Sequence, residues 1–409
     1  MRNLVPLSLA TFLLAATGVA QTPPGLIGLS RNLPVLMQFD TSTCLPQRCL
    51  PPIPALPTLP AFAGGTAYDP VRGATWITNG MQIALVAQGT CAPLCPPMPL
   101  PLPAGAVATG LAYNEIASIL FVSDSMNFIH WFKVSGCTLM PLGSCQTWPV
   151  SAGNPTIGGI ATDDVAGLVF YSGSMWTGAP NNIVFVAKQT SPCQYFCKIP
   201  LQSCPGTTLG PITGLAHDCC KNVLWATDGL LHVGSTYSLA TCTANPFTCC
   251  RNPVTSEPLI GLCMLPSIAT TKDQTATSKS CTAPSCPVCP TMAHSMIGQP
   301  TLGNPGFQLR LDNAPGGASA ILLLNVGPCG VGVPFACGQI FVPLPGLVAL
   351  GPFPTGGAGC GGSHGLTLSL APNPAFCGFT LSTQYAVVCP GAPIGIGLSN
   401  CLSWMISGT

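Results

Sequence analysis

Short apolar runs of five to eight residues, broken by Gly, Pro, Asn, Asp and Ser, fill this chain. Such runs predict β-strands separated by turns, because the Gly and Pro that interrupt them break helices. The runs recur with a fixed internal order. Gly65-Thr66-Ala67-Tyr68-Asp69 returns as Gly110-Leu111-Ala112-Tyr113-Asn114, as Gly159-Ile160-Ala161-Thr162-Asp163 and as Gly214-Leu215-Ala216-His217-Asp218. The intervals are 45, 49 and 55 residues. Seven residues after each Asp or Asn stands an aromatic: Trp76, Phe121, Phe170 and Trp225. A second turn follows (Thr78-Asn79-Gly80, Ser123-Asp124-Ser125, Ser172-Gly173-Ser174, Thr227-Asp228-Gly229), then a third apolar strand and a Cys- and Pro-containing segment.

Each repeat reads as one four-stranded antiparallel sheet. Gly and Ala mark the innermost strand, where neighbouring sheets converge. Asp69, Asn114, Asp163 and Asp218 start the first turn, because Asx side chains bond nearby backbone N–H groups. The aromatic packs between sheets. Such sheets cannot bury both faces alone and stack radially, which predicts a β-propeller. The pattern G-[ILT]-A-x-[DN]-x(6)-[FW]-x-[ST] resembles NHL-type and related propeller blades over residues 34–265, a resemblance that bears on fold and not on activity. Val35 to Phe39, followed by Cys44 and Cys49, reads as the third strand of a blade lacking its first two. Those should come from near Ile260-Gly261-Leu262-Cys263. Five blades are expected, with six as the alternative.

Residues 269–297 change to Thr, Ser, Lys and Pro and read as a Cys-containing linker. From 298 to 409 alternating strands such as Phe307 to Leu311 and Gly365 to Leu370 predict a small β-sandwich. Gly303-Asn304-Pro305-Gly306-Phe307, Asn373 to Gly378, Gln384-Tyr385 and Gly397 to Asn400 resemble a C-terminal module of secreted bacterial proteins. The resemblance implies export rather than a chemistry. Its six cysteines could be paired within the module.

Composition narrows the function. Only 6% of the 409 residues are charged, with 12 Lys+Arg against 11 Asp+Glu. No basic patch is present for nucleic acid. Arg2, the apolar stretch Leu4 to Ala16 and Gly18-Val19-Ala20 predict a signal peptide over 1–20, with the propeller over 21–268. No later run is long enough for a membrane span. The 24 cysteines of an exported chain then predict disulfides. Close pairs are Cys44/Cys49, Cys91/Cys95, Cys137/Cys145 and Cys193/Cys197, each of which could close a short loop worth about 2 kcal/mol. The adjacent Cys219-Cys220 and Cys249-Cys250 leave the pairing open.

No catalytic constellation stands out. None of His130, His217, His232, His294 and His364 lies in a G-x-S-x-G context. His217 occupies the place of Tyr68, Tyr113 and Thr162 in other repeats and reads as structural. Cys281, Cys286 and Cys289 with His294 could imitate a Cys3His zinc site, but disulfides are the expectation for so cysteine-rich an exported chain. Propeller lactonases hold a metal with Glu and Asn/Asp from several blades, and only Glu115 and Glu257 exist here. No catalytic residue, metal or cofactor is expected. Trp131, Trp176, Asn181, Asn182 and Tyr195 are candidate binding residues, since an aromatic flanked by Asn can hold a sugar ring. The sequence thus favours a secreted or cell-surface binding protein whose partner is an extracellular protein or glycan. An exported hydrolase and a disulfide-linked envelope protein are the alternatives.

Overall fold

The computed structural model describes residues 25–30, 36–40, 46–48, 64–87, 92–147, 157–173, 182–218, 220–251, 258–265, 270–272, 289, 292–335, 338–388 and 396–408. The expected signal peptide, Cys44, Cys49, Cys91, Trp176, Asn181, Cys281 and Cys286 lie outside them. The described chain is all-β, with one 3-10 turn at Pro374–Phe376.

In chain order, β1 (Gly25–Ser30), β2 (Leu36–Asp40) and β3 (Pro46–Arg48) begin the first sheet. Four further sheets follow: β4 (Gly65–Asp69), β5 (Ala74–Thr78), β6 (Gln82–Ala87) and β7 (Pro93–Pro99); β8 (Ala108–Asn114), β9 (Ile119–Asp124), β10 (Phe128–Ser135) and β11 (Thr138–Gln146); β12 (Ile160–Asp163), β13 (Leu168–Gly173), β14 (Ile183–Lys188) and β15 (Ser191–Pro200); β16 (Gly214–Asp218), β17 (Val223–Thr227), β18 (Leu231–Ser238) and β19 (Thr243–Arg251). Each pairs antiparallel in sequence order. Then β20 (Leu259–Leu265) returns to pair β1, giving the order β20-β1-β2-β3. The first sheet therefore draws one strand from beyond the fourth repeat, at the expected Ile260 to Cys263. Its second strand is Gly25–Ser30, which the sequence reading passed over because it lies so close to the expected signal peptide.

The four repeat turns share one device. Asp69 Oδ1 accepts from Arg72 N–H at 3.2 Å, Asn114 from Ala117 at 2.6 Å, Asp163 from Ala166 at 2.9 Å and Asp218 from Lys221 at 3.1 Å. The repeat aromatics join cores that span two sheets. Trp76 packs with Leu111 and Leu120, and Phe170 with Leu215 and Leu224. The outer strands carry Pro93, Pro141, Pro192 and Pro246, which blunt exposed edges by withholding N–H donors.

The inner strands touch in cyclic order: β4 with β8, β8 with β12, β12 with β16, β16 with β20 and β20 with β4. Glycine makes this approach possible. A Cβ on Gly65 would lie 2.8 Å from the Gly110 carbonyl carbon, one on Gly159 the same distance from that of Gly214, and one on Gly214 2.7 Å from that of Gly261. Gly110 would meet the Gly159 Cα at 3.2 Å, and Gly261 the Gly65 Cα at 2.7 Å. The contacts close on themselves.

Two stretches assigned to the linker are strands. β21 (Thr270–Lys272) pairs with the final strand, and β22 (Ala293–Ile297) pairs with β23 (Gln308–Ala314). The remainder comprises β24 (Ser319–Val326), the small hairpin β25 (Val333–Phe335) and β26 (Gly338–Ile340), β27 (Val348–Pro354), β28 (Gly362–Thr367), β29 (Thr380–Val388), β30 (Ile396–Leu398) and β31 (Cys401–Met405). The sheet β21-β31-β29-β24-β27 and the sheet β22-β23-β28 share a core of Phe307, Leu309, Leu311, Leu322, Tyr385 and Trp404.

The disulfides correct the short-loop expectation. Cys137 and Cys145 are not joined, and neither are Cys193 and Cys197. Cys95 bonds Cys137, Cys145 bonds Cys193, Cys197 bonds Cys242 and Cys204 bonds Cys249. All four staple neighbouring repeats. The cause is register: close cysteines along an outer strand or its turn point toward the adjacent sheets rather than at each other. The C-terminal module is not closed on itself either. Cys329 bonds Cys401, but Cys360 bonds Cys289 and Cys377 bonds Cys220 in the last repeat.

Candidate functional site

Convergence of five inner strands leaves a small cavity of about 40 Å³ along their common axis. That is room for about three waters. Two residue rows line it. The first is Ala67, Ala112, Ala161, Ala216 and Cys263; the second is Tyr68, Tyr113, Thr162, His217 and Met264. Each row takes one residue from each inner strand, at two and three positions beyond the ring glycine.

The polar lining groups are buried and electrically quiet. His217 Nε2 lies 2.9 Å from the Tyr237 hydroxyl and 4.0 Å from Asp163 Oδ2, and its ring stacks on Phe170. Burial lowers its pKa, against the opposing charges of Asp163 and Asp218. Burial also raises the hydroxyls of Tyr68 and Tyr113 well above the ordinary tyrosine range. Cys263 is an unpaired, buried thiol, and burial pushes it up to about 12. A thiol so held is protonated at neutral pH and is a poor nucleophile or ligand. Among the described residues no group of three His, Cys, Asp or Glu could hold a metal ion.

The two ends of the cavity differ. At one end stands the glycine ring. At the other, the repeat turns meet the C-terminal module. Gln299 N–H donates to Pro70 O at 2.8 Å, Thr301 Oγ1 donates to Glu115 Oε2, and Val165 packs against the module's core. A Cβ on Gly303 would lie 2.6 Å from Ile116 Cδ1, so that glycine lets the two surfaces approach. Cys220–Cys377 fastens the contact.

The opposite face carries the second turns. There Asn79 Oδ1 accepts from Met81 and Gln82 N–H, Asp124 Oδ1 from Met126 and Phe128, and Asp228 Oδ1 from Leu230 and Leu231, at 2.7–3.0 Å. The same geometry presents an apolar side chain three times. Met81 is 64% exposed, Met126 42% and Leu230 38%. The sequence contains this signal as an apolar residue two positions after each turn Asx, where a solvated turn would carry a polar one.

Of the predicted binding residues, Trp131, Asn182 and Tyr195 fall among the described residues. Trp131 and Tyr195 are half-buried around one inter-sheet cluster with Phe185. Trp131 also covers Gly143, where a Cβ would lie 2.5 Å from its ring. Asn182 precedes β14, with its Nδ2 directed to Leu201 O. In the zinc alternative, Cys289 is a disulfide partner, and His294 instead binds Thr383 Oγ1 at 2.8 Å and Arg310 O at 3.1 Å. His130 lies 2.8 Å from Asp124, inside the turn that Asp124 organises.

No protein-family model matches the chain, and no curated protein matches its sequence. Seven disulfides among the described residues are consistent with a non-cytoplasmic protein. Among the described residues no helix is long and apolar enough to cross a membrane.

Proposed function

We propose that the five four-stranded sheets are the blades of a β-propeller, that a β-sandwich covers one of its faces, and that the exported protein is a non-catalytic binding platform. The observation that carries the fold is the cyclic glycine contact from Gly65 through Gly261 and back. The binding role rests on where chemistry is accessible. The axial cavity is small, at about 40 Å³. The face opposite the sandwich instead offers Met81, Met126 and Leu230 on rigid, Asx-bonded turns. Methionine adapts to irregular apolar surfaces, so an extracellular protein suits this face; a glycan is the alternative partner. The test is a triple Met81→Ser, Met126→Ser, Leu230→Ser variant, compared with wild type on panels of secreted proteins and glycans. The proposal expects a wild-type partner whose binding the variant loses while keeping its melting temperature. Undiminished binding by the variant would remove this face from the account.

A further inference from the structure

The seam between the repeats and the C-terminal module is built on two buried carboxylates from neighbouring sheets. Glu115 follows β8 and Asp164 follows β12. Asp164 Oδ2 accepts from Glu115 N–H at 2.9 Å, and its Oδ1 accepts from Gln189 Nε2 at 3.1 Å. Gln189 in turn accepts from Asn114 Nδ2. Glu115 Oε2 accepts from Thr301 Oγ1 of the module. Val165, the next residue after Asp164, packs against the module's core. Asp164 thus adjoins the docking contact twice, through Val165 next in the chain and through Glu115, to which it is hydrogen-bonded.

The Glu115 N–H and the Gln189 amide that donate to Asp164 are neutral. The neighbouring carboxyls are Asp163 on the same turn, whose charge repels it, and Glu115 on the adjacent sheet. Beyond Asp163 lies His217, at 4.0 Å. Arg72 is placed at Asp69, 3.6 Å away from its Oδ2. Burial pushes the Asp164 carboxyl up to about 7, and the Asp163 charge adds to it. A buried ionised carboxylate lacking a cation is costly, and rehydration relieves that cost.

We propose that this seam is a proton-controlled latch, with the module seated on the repeat turns when Asp164 is protonated and lifted from them when it ionises. The Cys220–Cys377 bond keeps the lifted module tethered. Lifting uncovers the cavity end bearing Tyr68, Tyr113, Thr162 and His217. The inference concerns the seam alone and holds whatever the opposite face binds.

Gln299 reports on it, because its amide is bonded across the seam to Pro70 O. If Asp164 regains an ordinary aspartate pKa when the seam opens, opening becomes about 100-fold easier between pH 5 and pH 9. The experiment is amide hydrogen exchange on the full oxidised chain, corrected for the intrinsic pH dependence of exchange. Gln299 protection is expected to fall about 100-fold while Ala112, inside the repeats, is unchanged. Asp164→Asn is expected to abolish the fall. Should that variant not fold, Thr301→Val is expected to lower Gln299 protection at every pH and keep the same fall. Equal protection at pH 5 and pH 9 in wild type, or an undiminished fall in Asp164→Asn, would overturn the latch.

Discussion

Gly261 and Gly65 are in direct backbone contact, and a Cβ built on Gly261 would lie 2.7 Å from the Gly65 Cα. This contact joins a strand from beyond the fourth repeat to the inner strand of the first. It turns a row of sheets into a closed circuit of contacts. Gly261 also has φ +69°, a conformation costly for residues with a Cβ. Gly261→Ala should therefore destabilise by about 2–5 kcal/mol, from overpacking plus backbone strain. Gly136→Ala is the control. It has a similar φ of +57° but nothing within 4 Å of its Cβ, and should cost about 1–2 kcal/mol. Denaturant midpoints of the two variants check the difference.

The inter-repeat disulfides should matter more than short-loop bridges would. Cys145 and Cys193 are 48 residues apart. On the loop-entropy model a bridge of that span contributes about 4 kcal/mol, against the ~2 kcal/mol expected for close pairs. Replacing both with Ser, so that no orphan thiol is left, should lower stability by roughly that amount. Equilibrium unfolding under oxidising conditions measures it.

Cys263 should be invisible to thiol reagents until the protein unfolds. Its burial and its pKa of about 12 both suppress the thiolate. Ellman titration should find one additional thiol in 6 M guanidinium relative to the native state. In Cys263→Ala that increment should disappear, with little loss of stability, because Ala67, Ala112, Ala161 and Ala216 occupy the same place on the other inner strands.

Acid should weaken the fold through buried histidines. Burial lowers His232 and His294 to about 4. Their folded pKa values lie below the unfolded value near 6.5. The unfolded chain therefore binds more protons between those limits, and stability is lost as pH falls from about 6.5 to 4. Each contributes up to about 3 kcal/mol. Asp164 acts in the opposite sense. Its folded pKa is raised, so it favours the fold increasingly as pH falls from about 7 toward 4. Two histidines outweigh one aspartate, and melting temperature should decline toward pH 4. Imidazole NMR titrations should place both midpoints near 4.

Much of the described architecture was legible in the residues. Each inner strand announces itself by Gly-x-Ala and a turn Asx, because close approach admits only small side chains and a tight turn needs a side-chain acceptor. The same logic found β20, whose Gly261 survives although its Asx and aromatic do not. Gly25–Ser30 was hidden by the apolar sequence before it. The disulfide partners were not legible, because which way a cysteine points depends on strand register and on the sheet beside it. Nor was the seam at Glu115, Asp164 and Thr301, since residues as far apart as the 186 positions between Glu115 and Thr301 carry no mutual signal along the chain. Cys281, Cys286, Cys289 and His294 looked like a ligand set from spacing alone. Three-dimensional placement puts His294 on Thr383 and Arg310 instead.

The most direct test of the account is a disulfide map of the native protein, read by mass spectrometry of peptides from an unreduced digest. The ring of stapled sheets predicts crosslinked peptides for Cys95–Cys137, Cys145–Cys193 and Cys197–Cys242, and one joining Cys220 to Cys377. Peptides linking Cys137 to Cys145 and Cys193 to Cys197 would contradict it, since they would leave each sheet stapled only to itself.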